Sequence, residues 1–383
     1  MNLFAKALKK SEKILLFNNF FSDFFVYSNS LKKSKDEVKK CFVRRDEENV
    51  ISDENLLRII KAYSLSKEQQ QGISSIFKVS NEWDYLYKFF MGGIIDVLEK
   101  GDMISLRKLY KNFMRENFSR GLHGLHIDME KNFFLKDCPS KLHSKLYLND
   151  SIYRYELWKS SIGNNENIQS LFMPEYGNSY GYYIGNTYIR TGAEYLHYYA
   201  TAIKNLFDHE PKQKRTIVEI GGGYGGMGYF LNKNFNNITY VDYDLPENMA
   251  LTSYYLLSCF PEKKIMLYGE DSLDNIKNYD IVILPSFCID KLEENSVDLV
   301  FNSYSLAEMS TESIRYYVDK IRSVSKEYIF HINHTNKSTS LNSDNFGFDN
   351  GDDFRLIYKA KAMWNMYRNF RCDEYEYLYK KKK

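Results

Sequence analysis

A dominant charge is missing from this sequence: 52 Lys and Arg stand against 50 Asp and Glu in 383 residues. With the signs this nearly balanced, no global field draws the chain to nucleic acid or to an acidic membrane. A cysteine framework is missing too. Cys41, Cys138, Cys259, Cys288 and Cys372 form no C-x-x-C pair, and an odd number spread so widely is not a disulfide scaffold. Nor is there a long apolar run. Lys9, Lys10, Glu12 and Lys13 interrupt the first apolar stretch and Asp23 the second, which leaves neither a signal-peptide core nor a span of about 18 residues. These absences together predict a cytoplasmic protein with no membrane segment and no nucleic-acid partner.

What the chain does have is length enough for two domains, or for one domain with a large appendage. Residues 1–150 read as helical. Leu56, Leu57, Ile59, Ile60 and Tyr63 recur at three-and-four spacing, as do Leu86, Phe89, Phe90, Ile94 and Ile95. This helical N-terminal domain is expected to serve as a lid, an acceptor platform or a homodimer surface. Residues 151–204 form a connecting segment whose stretch 173–183 is dense in Gly, Asn and Tyr, a composition for turns and hairpins. A helix is predicted over 193–207, and residues 205–383 form the next domain. Short apolar runs there (216–220, 238–243, 280–284, 297–301 and 328–332) alternate with helical stretches, notably 246–259 and 311–323. Such alternation predicts an α/β fold with a doubly wound, mostly parallel sheet. Residues 264–268 are a further candidate strand, so the identity of the third strand stays open. The lysines 380–383 read as a solvated tail.

The sharpest local signal is Glu219-Ile220-Gly221-Gly222-Gly223-Tyr224-Gly225-Gly226, where the first strand gives way to a helix. Glycines there allow a tight turn and a close approach of backbone to ligand, beside the unpaired N–H groups of a helix start. Gly221, Gly223 and Gly226 also satisfy G-x-G-x-x-G, so a nicotinamide or flavin dinucleotide fold competes, as does a purely structural turn. Glu219 tilts the balance. A carboxylate two residues before the first glycine suits the ammonium of a methionine moiety and has no pyrophosphate to serve, and E/D-x-G-x-G-x-G is motif I of methyltransferases. Asp242 and Asp244, at the end of the second strand, are the candidates to accept both ribose hydroxyls, a role that NAD would require equally.

With EIGGGYGGMGYF (219–230), YDLPENMALTSYYL (243–256) and VDLVFNSYSLAEM (297–309), the chain resembles the bacterial sugar O-methyltransferases encoded among polysaccharide biosynthesis genes. The likeness spans about residues 150–340. It begins near Glu175-Tyr176-Gly177-Asn178-Ser179-Tyr180-Gly181, where Ser179 replaces the family's proline, and has a weaker echo at 117–122. The resemblance implies S-adenosylmethionine as cofactor and a sugar or glycan-precursor hydroxyl as acceptor in capsule or lipopolysaccharide synthesis. A non-sugar acceptor (a phosphorylated compound, a lipid or a nitrogen) and a non-catalytic cofactor-binding partner protein are the alternatives.

In an open parallel sheet the ligand lies beyond the carboxyl ends of the strands. The cofactor set expected on that basis is Glu219, Gly221, Gly222, Gly223, Tyr224, Gly225, Asp242 and Asp244, with Ser286 and Phe287 near the adenine and Asn302 and Ser303 on the floor. Methyl transfer to a hydroxyl needs alignment and a proton acceptor. Glu308, in the loop facing the cofactor, is the first candidate and His334 the second, whereas His331 reads as packed. Tyr176, Asn178, Tyr180 and Tyr304 are the expected substrate contacts; Tyr182, Tyr183, Tyr188, Tyr195, Tyr198 and Tyr199 offer further rings for stacking on sugars or facing a sulfonium. No metal centre is predicted, because His123-x-x-His126 with Asp128 lacks a third ligand at a known spacing.

Overall fold

The computed structural model describes residues 51–80, 82–122, 141–163, 166–207, 213–335, 341–365 and 373–382. The interrupted apolar stretches near the N-terminus and the H-x-x-H segment lie outside these residues. Of the cysteines, Cys259 and Cys288 are within them, and both are free thiols.

The helical cap begins with α1 (Asp53–Gln70), opened by Ser52, whose hydroxyl accepts the Asn55 N–H at 3.2 Å. Asp53 and Glu54 complement the positive end of the helix dipole. One face, Leu56, Ile59, Tyr63, Ser66 and Gln70, is buried at the predicted spacing. Then follow α2 (Glu82–Leu86), a π-helix (Tyr87–Met91), α3 (Gly92–Lys100) and α4 (Met103–Tyr110). The next helix, α5 (Lys141–Ile162), runs straight through the boundary that composition places at 150. The turn-rich segment beyond it does make a hairpin, β1 (Gly181–Ile184) with β2 (Thr187–Arg190), and α6 (Ala193–Phe207) follows.

One eight-stranded sheet is built from β3 (Arg215–Ile220), β4 (Ile238–Asp244), β5 (Ile265–Leu267), β6 (Ile281–Pro285), β7 (Val297–Ser303), β8 (Ser325–His334), β9 (Phe354–Lys361) and β10 (Glu374–Lys381), in the order β5-β6-β4-β3-β7-β8-β10-β9. All neighbours are parallel except β10, which runs against both β8 and β9. The helices α7 (Gly226–Asn234), α8 (Pro246–Cys259) and α9 (Thr311–Val324) supply crossovers, and Pro246 occupies the first turn of α8. Ile217, Tyr240 and Phe301 face one core with the cap, α6, α7 and α8. Val218, Val241 and Val300 face the other with α9, as the strand period of two requires.

One open point closes and one expectation changes. The third strand, next to β4, is β6, and the short β5 forms an edge outside it. The lysines read as a tail belong in part to β10: Lys381 Nζ donates to the Ser325 carbonyl at 3.0 Å. Among the described residues no helix is long and apolar enough to cross a membrane. The chain order reverses direction across the sheet at β3 and β7, which puts the crevice beyond Ile220 and Ser303.

Candidate active site

Beyond β3 the backbone turns through Gly221 (φ +78°) and Gly223 (φ +64°), and Gly225 (φ +88°) starts α7. Three amides of this turn are bonded to β4 and its acids. Gly221 N–H donates to the Tyr243 carbonyl at 2.9 Å, Gly222 N–H to Asp242 Oδ1 at 3.0 Å, and Gly223 N–H to Asp244 Oδ2 at 2.9 Å. A methyl group on Gly221 would stand 2.5 Å from Ser305 Oγ, the hydroxyl that also bonds the Ile220 carbonyl at 2.9 Å. Gly221→Ala is therefore expected to destabilise the fold by roughly 1–2 kcal/mol for the left-handed backbone and a further 1–3 kcal/mol or so for overpacking. Gly223→Ala, whose added Cβ meets nothing nearer than 3.6 Å, should show only the first of these; urea unfolding of both variants is the check.

The electrostatics of the turn are acidic. Burial pushes the Glu219 carboxyl up to about 7, against the stabilising hydrogen bond from Tyr240 and with the charge of Asp244 nearby. Burial likewise raises Asp244 to about 6, although the Gly223 and Leu245 amides and Asn248 donate to it. Asp242, fully buried beside both, is held well above the ordinary carboxylate range.

A cavity of about 560 Å³ opens over this turn. Its lining includes Glu219, Gly221, Gly222, Gly223, Tyr224, Asp244, Ser286, Ser303, Tyr304, Glu308 and His334, eleven of the expected site residues, with the Arg190 guanidinium 4.1 Å from the Tyr224 ring centroid. Others sit elsewhere. Asp242 lies beneath the turn and braces it through Gly222. Asn302 knits strand ends together, donating to the Ile220 carbonyl at 2.8 Å and accepting from Asn333 at 2.8 Å. Phe287 packs edge-on to Tyr268 in the second core. Gly225 packs on α8. Tyr176, Asn178 and Tyr180 also miss the cavity, because Gly177 is pressed onto the Phe113 ring and Arg115 clamps both the Asn178 carbonyl, at 2.8 Å, and the Tyr180 face. Their segment joins cap to hairpin. His331 is buried and stacked on Tyr377, as its packed assignment requires.

Several lining residues carried no signal in the sequence. The cap contributes Phe77 and Trp83, and the Trp83 indole donates to Glu308 Oε2 at 2.9 Å. The cap is anchored close by, where Lys67 pairs with the buried Glu247 at 2.9 Å and Tyr87 donates to the same carboxylate at 2.7 Å. On the opposite wall stand Arg154, Trp364, Asn365 and Glu374. His334 lines the same cavity, its ring 5.2 Å from that of Tyr304 and its Nδ1 3.8 Å from Asp373 Oδ1.

Parallel strands flanking a β3–β7 crevice, with a reversed β10 beside the outer β9, are the fold of class I S-adenosylmethionine-dependent methyltransferases, preceded here by a helical cap. No family model and no curated protein matches the chain. Among solved structures, a SAM dependent methyltransferase from Aquifex aeolicus is 14% identical with a TM-score of 0.30, over 47% of this chain and 87% of that one. Magnesium protoporphyrin IX methyltransferase from Synechocystis PCC 6803, with bound SAM, is 8% identical with a TM-score of 0.37, over 60% of this chain and 91% of that one.

Proposed function

We propose that this chain transfers a methyl group from S-adenosylmethionine to a hydroxyl of a sugar or glycan precursor in bacterial surface polysaccharide synthesis. One observation carries the donor assignment: the Gly222 and Gly223 amides, which in a dinucleotide fold would cradle a pyrophosphate, are spent on Asp242 and Asp244, with Glu219 alongside. Asp244, ionised above about 6, and Glu219, ionised above about 7, repel a diphosphate and attract an ammonium. When bound, S-adenosylmethionine supplies a methyl group on a sulfonium, which an oxygen displaces in line. Glu219 holds the ammonium end, Asp244 takes the ribose hydroxyls, and Ser286 beside Phe77 and Tyr317 receives the adenine. Glu308 and His334 are the proton acceptors on the acceptor side. The sugar acceptor is supported by the three motif segments at 219–230, 243–256 and 297–309.

Calorimetry tests the donor: S-adenosylhomocysteine should bind and NAD should not, and the reverse result overturns the assignment. Radiolabelled cofactor offered with nucleotide-sugars, glycans, phosphorylated small molecules and lipids tests the acceptor.

The acidic turn also predicts a pH dependence. Ligand ammonium requires Glu219 ionised, so affinity for S-adenosylhomocysteine should rise by about tenfold per pH unit up to about 7 and level off above it. The stability linkage has the opposite sense. Glu219 and Asp244 have folded values raised above their ordinary ones, so the stability they contribute is full below about 4 and is lost as pH climbs through about 6 to 7. Thermal unfolding with and without ligand should thus show a larger ligand-induced rise in Tm at pH 8 than at pH 6.

A further inference from the structure

The cavity wall away from the glycine turn carries a polar relay that donor binding leaves unused. Arg154 Nε pairs with Asp150 at 3.2 Å, and Arg154 Nη2 donates to Asn365 Oδ1 at 2.7 Å. The Asn365 amide donates onward to Glu374 Oε2 at 2.7 Å, and the Tyr304 hydroxyl donates to the same oxygen at 2.8 Å. Arg154 is 1% exposed and Glu374 4%, and both line the cavity. The two ends of the relay remain open. Among the described residues no group donates to Glu374 Oε1, and none accepts from Arg154 Nη1.

Buried charged groups are costly unless hydrogen-bonded, so an acceptor oxygen and a guanidinium donor left open on one wall call for a ligand that supplies both partners. A hydroxyl does so, since it donates and accepts at once. We infer that Glu374 Oε1 and Arg154 Nη1 hold the methyl acceptor through hydroxyls adjacent to the reacting one. Two donors on Oε2 fix the rotamer of Glu374. Tyr304, held at φ +65° with its N–H on the Ile332 carbonyl at 2.7 Å, is the residue that orients it. The pairing of Glu374 with His334 across β10 and β8 sets the grip next to a proposed proton acceptor.

Charge narrows the ligand. Asp150 offsets Arg154, and Glu374 adds a negative charge, so this wall selects a neutral polyhydroxylated acceptor and disfavours a phosphorylated or carboxylated one. This inference rests on the methyltransferase reading, and its test separates the two. The full chain, saturated with S-adenosylhomocysteine, is offered the methyl glycosides of glucose, galactose and mannose, their monodeoxy derivatives, glucose 6-phosphate and glucuronate, with binding read by saturation-transfer NMR.

At least one neutral glycoside should bind. Removal of one hydroxyl from it should weaken binding by about tenfold or more, because a buried polar partner is left unpaired. Glu374→Gln should cause a similar loss while leaving S-adenosylhomocysteine affinity within about twofold. Binding of no neutral glycoside, tighter binding of the anionic sugars, or undiminished binding by Glu374→Gln overturns the inference. Should Glu374→Gln not fold, the deoxy comparison on the unaltered protein decides alone. Absence of S-adenosylhomocysteine binding would instead strike the donor assignment itself.

Discussion

Asp244→Ala is expected to weaken S-adenosylhomocysteine binding by about 100-fold or more, measured by calorimetry. A carboxylate that accepts two ribose hydroxyls contributes about 1.5–3 kcal/mol per charged hydrogen bond, and the loss of two such bonds reaches that figure. The side chain has a second task. Its Oδ2 accepts the Gly223 amide at 2.9 Å, and its Oδ1 accepts the Leu245 amide at 2.7 Å and Asn248 Nδ2 at 3.0 Å. Alanine strips these donors of their partner, so the turn loosens as the ribose contacts vanish. Asp244→Asn separates the two effects, since its single carbonyl oxygen still accepts from the backbone but its amide cannot accept a hydroxyl proton. It should keep the melting temperature closer to that of the parent and still bind poorly. Affinity within about threefold of the parent for Asp244→Ala would remove Asp244 from the donor site.

The strand–turn–helix at Val218–Gly226 was legible because every element of it is local: an apolar run, glycines at positive φ, and an acid fixed two residues before the first of them. The errors lie where legibility depends on which face a side chain takes or on contacts distant in sequence. Asp242 and Asp244 share a face of β4, but only Asp244 reaches the strand end, whereas Asp242 lies under the turn. Asn302 and Ser303 are consecutive and therefore point to opposite faces, and only Ser303 meets the cavity. Tyr176, Asn178 and Tyr180 have a composition that suits a sugar site, but Phe113 of the cap, some sixty residues earlier, fixes where their turn packs.

The largest omission was β10. EYEYLYKK sets Tyr375, Tyr377 and Tyr379 at every second position against Glu374, Glu376, Leu378 and Lys380, a strand pattern hidden by charge at its end and by its place beside the edge strand β9. Its direction matters more than its existence. An antiparallel strand delivers its first residue, Glu374, to the edge where the parallel strands end, so a carboxylate 155 positions after Glu219 enters the same cavity. Arg154 arrives from α5 by a comparable route, and only tertiary packing joins the two.

Glu308→Ala is expected to lower turnover by about 10²- to 10⁴-fold, the usual worth of a positioned proton acceptor, while leaving S-adenosylhomocysteine affinity unchanged. Glu308 stands at the end of the short 3₁₀ turn Leu306–Glu308, which follows β7 and is tied to β8 by Ala307 N–H on Asn333 Oδ1 at 3.1 Å. It also accepts the Trp83 indole N–H from the cap, so loss of activity in the alanine variant has two explanations: a missing base or an untethered cap. Glu308→Gln distinguishes them. Its amide oxygen still accepts from Trp83 but cannot take up the hydroxyl proton. If Glu308 is the base, the glutamine variant falls as far as the alanine variant; if Glu308 only tethers the cap, the glutamine variant keeps most of its activity. The second candidate, His334, lines the same cavity, with Nδ1 3.8 Å from Asp373 Oδ1 and its ring tilted against that of Tyr304. Normal turnover in Glu308→Gln together with a large loss in His334→Gln would transfer the proton-accepting role to the histidine.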